Sequence, residues 1–163
     1  MRLRTMAGAF AVAIALVATS SQTALADPSP NPGPPEITVT AQDVSPETVV
    51  ECDFYASKPI HSGDRMTGTG GIATCSGGPA ACTSEVDLEV YNDFSNRWMT
   101  TATKSQHKCA PPLRSATAAA DCIHHSGDAT HALRTSTLGT VVSSSGHTAS
   151  GTAYSDVLYL ACE

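Results

Sequence analysis

The chain has 163 residues, a formal net charge of −6, six cysteines and one tryptophan, and only 5% of its residues are aromatic. The acidic balance argues against nucleic acid and anionic membrane surfaces as partners, because both require basic patches. So few aromatics leave a thin core for one domain of this length, and covalent bridges would have to reinforce it.

Residues 1–26 read as a secretory signal peptide. Arg2 and Arg4 form a short positive region, Met6 to Val17 is apolar, and Ala24-Leu25-Ala26 places small residues at the cleavage site before Asp27. As a membrane anchor the apolar run is too short, and polar Ser20, Ser21 and Gln22 follow it at once. No later stretch is apolar enough to cross a bilayer, so no membrane span is expected in the mature form. Cleavage removes two arginines and no acids, leaving seven Lys and Arg against fifteen Asp and Glu, a net of about −8.

Asp27 to Pro35 holds five prolines in nine residues and predicts an extended, exposed leader. Residues 36–163 then form one domain. Glu36 to Ala41 alternates as a strand with Ile37, Val39 and Ala41 on one face. Behind a proline-rich tether, such a strand either docks in its own sheet, the default, or adds to the sheet edge of a partner protein. Val49 to Tyr55 is a second strand, Lys58-Pro59 and His61 to Asp64 a loop, and Met66 to Cys75 a strand rich in Gly and Thr. Gly77-Gly78-Pro79 is a tight connection.

Cys82 to Cys109 reads as a hairpin. Val86, Leu88 and Val90 alternate with Asp87 and Glu89, Asn92 to Asn96 is a turn cluster, and Trp98, Thr100, Ala102 and Lys104 share one face of the return arm. Beyond the break at Pro111-Pro112, Ser115 to Cys122 has the alanines of a helix but lies among strands, and is read as one. Ser126-Gly127-Asp128 is a turn and Thr130 to Leu138 a strand. Val141-Val142 opens a Ser/Gly-rich loop through Gly151, and Ala153 to Cys162 closes the fold. Seven or eight short strands without an amphipathic helix predict an all-β, Ig-like antiparallel β-sandwich.

Cys52, Cys75, Cys82, Cys109, Cys122 and Cys162 all follow the signal, and an even count in an exported chain is a disulfide framework. Zinc ligation expects paired Cys-x-x-Cys spacing, which is absent. Six cysteines allow fifteen connectivities. Hairpin logic favours Cys82–Cys109 and suggests Cys52–Cys75, leaving Cys122–Cys162.

Candidate sites are few. Asp121, His124, His125, Asp128 and His131 are the densest group of ligand-type side chains, but adjacent histidines on a strand point to opposite faces. A solvated turn is the expected reading, with no metal. No Gly-x-Ser-x-Gly elbow or His-Glu-x-x-His motif occurs. Gly68-Thr-Gly-Gly71 opens no helix, so its glycines point to a bulge or close strand packing and not to phosphate binding. Asp87 and Glu89 belong to a solvated strand face. The expectation is therefore no enzyme and no cofactor. Tyr91 and Trp98 are candidates for an aromatic platform under a glycan, with a core anchor as the default for the single Trp.

The order Cys52-x-x-Tyr55, Gly68-x-Gly70 before Cys75, and Ala132-Leu-Arg-Thr-Ser-Thr-Leu-Gly139 before a closing Leu-Tyr-Leu-Ala-Cys162 resembles a group of small secreted proteins. High-GC Gram-positive bacteria export them, and most have no assigned function. The likeness spans most of residues 49–162, in short and largely structural motifs. It implies four shared cysteines matching Cys52, Cys75, Cys122 and Cys162, with Cys82 and Cys109 as an additional pair, and it brings no catalytic residues. Some proteins of this kind resemble adaptors in umbrella-toxin particles, where a short N-terminal strand engages a partner. The expected function is a secreted module that binds an extracellular protein. A carbohydrate- or cell-wall-binding module and a secreted protease inhibitor or small hydrolase are the alternatives.

Overall fold

The computed structural model describes residues 35–42, 49–109, 114–122 and 130–162. The signal peptide, the leader up to Pro34, and His124, His125 and Asp128 lie outside the described residues. Ten strands occur among them: β1 (Glu36–Gln42), β2 (Val49–Ala56), β3 (Ile60–Ser62), β4 (Arg65–Ser76), β5 (Ala81–Asn92), β6 (Arg97–Gln106), β7 (Arg114–Asp121), β8 (Thr130–Val142), β9 (Thr148–Tyr154) and β10 (Leu158–Ala161). Every pairing is antiparallel, and the strands form two sheets in a sandwich-like arrangement.

The count exceeds the expected seven or eight because two strand positions are interrupted. In the first sheet β7 pairs with Arg65–Ile72 of β4, while β3 and β2 pair with the beginning and end of β4. A strand has two edges, so β2 and β3 share the edge opposite β7. The break between them contains Pro59, which has no N–H for the ladder. In the second sheet β5 lies on one edge of β8, and β9 and β10 share the other. Ser155 fills the gap between β9 and β10. Its N–H donates to Thr135 O at 2.9 Å, and its Oγ accepts from Thr135 N at 2.9 Å. One side chain thus replaces a missing rung.

Two segments read as loops are therefore paired. Ile60–Ser62 folds onto β4 through a two-residue turn at Gly63-Asp64, where Gly63 has φ 59°. The Ser/Gly-rich stretch after Val141 is mostly hairpin. β8 runs to Val142, β9 starts at Thr148, and Ser143 N donates to His147 O at 2.9 Å between them. Small polar residues hide strand alternation there, because neither face is apolar enough to mark the period. The stretch expected as strand from Ser115 to Cys122 is strand through Asp121.

The apolar core is in two parts. One gathers Val39, Val50, Phe54, Ile72 and Val141 around Cys52 and Cys82; the other gathers Met66, Val86, Leu88 and Leu133 with Cys122. Between them lies a waist of small and hydroxyl residues. Gly68 and Gly70 of β4 face Thr135 and Thr137 of β8, and a Cβ on Gly68 would stand 2.6 Å from Thr135 Oγ1. The hydroxyls of Ser84, Thr135 and Thr137 are buried without a hydrogen-bond partner among the described residues. The Gly-x-Gly motif thus serves close packing of the two sheets.

Three disulfides reinforce this core: Cys52–Cys75, Cys82–Cys109 and Cys122–Cys162. Hairpin logic points to the first two, and the third is the pair it leaves over. The first joins facing residues of β2 and β4, the second clamps the open end of the β5–β6 hairpin, and the third ties the end of β7 to the end of β10 across the two sheets. Each contributes about 3–4 kcal/mol through the unfolded chain in the loop-entropy account.

On the outer face of the first sheet, Tyr55 pairs across Gly71, which in turn pairs with Ser115. Burial raises the Tyr55 phenol above its ordinary value of 10.0, and a hydrogen bond with Ser115 partly opposes that.

Two predictions follow from this packing. Gly68→Ala costs about 1–3 kcal/mol by overpacking, and Thr135→Ala in the same chain recovers part of it by removing the atoms that a Cβ would meet. Urea unfolding of the four-member cycle checks this, and strict additivity would contradict the close approach. For Tyr55 the folded state favours the protonated phenol, so its contribution is complete below pH 10.0 and is lost as pH rises through the folded value. Stability falls on that alkaline limb, and Tyr55→Phe flattens the fall in melts taken from neutral to alkaline pH.

Candidate functional site

The site is built on the β5–β6 hairpin. β5 turns Cys82, Ser84, Val86 and Leu88 inward, and Glu85, Asp87, Glu89 and Tyr91 outward. Its partner β6 carries one residue too many. Leu88 pairs with Ala102 and Glu89 with Thr100, so Thr101 is a bulge, its hydroxyl donating to Leu88 O at 2.9 Å.

The bulge reverses the alternation. Ala102 and Lys104 stand opposite inward-facing Leu88 and Val86, whereas Thr100 and Trp98 stand opposite outward-facing Glu89 and Tyr91. The single face expected for Trp98, Thr100, Ala102 and Lys104 is therefore two faces. In an unbroken ladder Trp98 would share the inward face of Ala102. Here it is half-buried on the outer face of the second sheet.

Across that face runs a continuous row of side chains. The Tyr91 and Trp98 rings meet edge-on at 5.3 Å between centroids. Arg134 of β8 lies directly opposite Glu89, and its Nε donates to Glu89 Oε2 at 2.6 Å. The same guanidinium is 4.3 Å from the centre of the Trp98 ring and 4.2 Å from that of Tyr154 on β9. The Arg134 and Glu89 side chains are only 20% and 14% exposed, so solvent screens their pairing weakly. Tyr159 of β10 and Leu138 of β8 share this outer face and are exposed.

The hairpin turn is itself ordered by side-chain bonds. Asn92 Oδ1 accepts from Ser95 N at 2.9 Å, Tyr91 donates to Asn96 Oδ1 at 3.4 Å, and Asn96 adopts φ 53°, a region that Asn tolerates. The turn holds Phe94 outward, 99% exposed. An apolar ring so presented gains nothing for the fold. Just inside the turn, beside the bulged Thr101, lies a cavity of about 660 Å³.

The other candidates fall elsewhere. β1 docks in its own sheet against β2. Val39 and Ala41 are buried in the first core cluster, and Ile37 packs on it over Gly151, where a Cβ would stand 2.8 Å from Ile37 Cδ1. The side chains considered for strand addition to a partner thus face the chain's own core. Of the suggested metal ligands, Asp121 and His131 line the cavity. Among the described residues the one tight group of three ligand-type atoms is Cys52, Cys75 and Cys82. Its sulfurs are all in disulfides, which leaves no thiolate to bind an ion.

Arg134, 45 residues from Glu89 along the chain, was not legible as a site residue. The available signal was the placement of a lone Arg among small residues of a long strand.

Comparison with protein-family models, with curated proteins and with solved structures gives no match to this chain.

Arg134→Ala leaves Glu89 shielded without its cation and uncovers both rings. The expected loss is about 2 kcal/mol, between the values for exposed and buried pairs. Arg134→Lys recovers only part, since one ammonium cannot bond the carboxylate and lie over two rings at once. Urea unfolding followed by the emission of Trp98, the single tryptophan, measures both variants.

Proposed function

We propose that this chain is an exported, non-enzymatic module that binds an extracellular protein through the outer face of its second sheet and the adjoining hairpin turn. The observation that carries this is the clamping of Arg134 between Trp98 and Tyr154, in a molecule whose adjoining hairpin turn leaves Phe94 fully exposed. Trp, Tyr and Arg are the side chains in which interface hot spots are enriched. Because the ladder already holds them in place, docking freezes few rotamers. Three disulfides with no free cysteine fit an oxidising destination. The lack of a catalytic motif supports binding over chemistry, and the resemblance to a group of small secreted proteins, some of them similar to adaptors, points the same way.

The test is purification of the tagged mature protein from the culture medium of its source, followed by sizing and mass spectrometry. A Phe94→Ser, Tyr154→Ser double variant serves as the control, since both side chains are exposed and the fold should survive. The wild type is expected in a larger complex with a defined partner that the variant loses. A wild type that runs alone near its monomer mass would count against protein partnership.

A glycan-binding reading has one observation in its favour, the emergence of Trp98 beside Tyr91 on the outer face. Against it, Arg134 and Tyr91 already occupy ring surface that a sugar would stack on. A shift of Trp98 emission with soluble glycans or cell-wall fragments would favour it.

A further inference from the structure

The cavity beside the hairpin turn has a two-part chemistry. Met66 and Leu133, both buried, form its floor together with Val90. Exposed Asp93, from the β5–β6 turn, and exposed Asp121, from the end of β7, stand at its rim and belong to different sheets. Neither carboxylate has an ion-pair partner among the described residues. Thr101, the bulged residue, also lines the space, so the same insertion that turns Trp98 outward borders this opening. His131 contributes to the wall and has a partner of its own.

An apolar floor under an anionic rim fits a side chain that is apolar along its stem and cationic at its head. An anionic ligand would meet two carboxylates, and a purely apolar one would leave them unused. The volume lies within the range of small-ligand sites. We infer that this cavity seats a basic side chain, arginine or lysine, of the protein partner proposed above, and the source of that side chain rests on that reading. The stem lies on Met66, Val90 and Leu133. The head reaches Asp93 and Asp121, where a guanidinium gains charge-assisted hydrogen bonds. The seat adjoins Tyr91, which belongs to both the cavity wall and the aromatic row, so one partner can engage both.

The experiment has two arms. In the first, ¹⁵N-labelled protein is titrated with n-butylguanidinium, and with n-pentanoate and n-pentanol as controls. Saturable amide shifts are expected at Val90, Asp93, Asp121 and Leu133 with the guanidinium alone, at a Kd on the order of 1–10 mM for so small a ligand. Asp93→Asn with Asp121→Asn should weaken it at least about fivefold, as should high salt. Equal shifts with pentanoate or pentanol, or none that saturate, would overturn the inference. In the second arm, the Asp93→Asn, Asp121→Asn variant is tested in the complex-isolation experiment. Weakened partner retention is expected. If the Phe94→Ser, Tyr154→Ser variant loses the partner while the carboxamide variant keeps it fully, the seat is not used by the partner and only this inference falls. If the guanidinium binds selectively and no partner exists, the cavity chemistry stands and the protein-partner reading falls.

Discussion

An extended chain alternates its side chains with a period of two, so no residue in a strand chooses its face independently of its neighbours. One extra residue reverses everything beyond it. In β6 that residue is Thr101. On its far side lie Trp98, turned to the outer surface against Tyr91 and Arg134, and the turn that presents Phe94. On its near side Ala102 packs against the core cluster of Val86 and Leu88. The bulge therefore divides a strand with a structural half from a strand with a displayed half. It also borders the cavity beside the turn.

The rest of the fold makes this division affordable with few large side chains. The two sheets approach over a waist of Gly68, Gly70, Thr135 and Thr137, which brings them close but leaves buried hydroxyls without partners. Such groups carry a desolvation cost of about 1–3 kcal/mol each. Each apolar half-core beside the waist contains disulfide sulfur. Cys52–Cys75 and Cys82–Cys109 lie with the first and Cys122–Cys162 with the second. The covalent bridges are thus placed where a core thin in aromatics would otherwise be weakest. Cys82 Sγ is 3.9 Å from Cys75 Sγ, so two bridges pack against each other as ordinary core contacts.

The outer face of the second sheet is polar and apolar at once. Glu89 neutralises Arg134, and the two aromatic rings then use the remaining guanidinium surface. An arginine held in this way is partly desolvated and has contacts on both sides of its guanidinium plane, so the fold itself meets the cost of ordering a long cation. The first sheet shows a different surface, with Thr38 and Thr74 both donating to Asp53 across three strands. There a carboxylate is held by two hydroxyls and not by a cation.

Much of the architecture is written in short stretches of the chain. Ile37, Val39 and Ala41, and Val86, Leu88 and Val90, each declare a strand and its inner face by alternation among near neighbours. The cysteines declare their pairing because each hairpin brings its own two ends together, as Cys52 with Cys75 and Cys82 with Cys109. Where residues are small and polar on both faces, as from Ser143 to Gly151, the period is silent and β9 was hidden. The face of Trp98 was hidden for another reason. Its alternation with Ala102 fits an unbroken strand equally well, and only pairing with β5 shows the inserted residue. Sequence by itself determined the acidic character, most of the strands and the two bridges that close hairpins, because these depend on neighbouring residues and on the ends of single hairpins. Tertiary structure alone decided the register at Thr101, the meeting of Glu89, Arg134 and Tyr154 from three strands, and the cavity between Asp93 and Asp121. Those depend on how distant segments align, and no local period encodes that alignment.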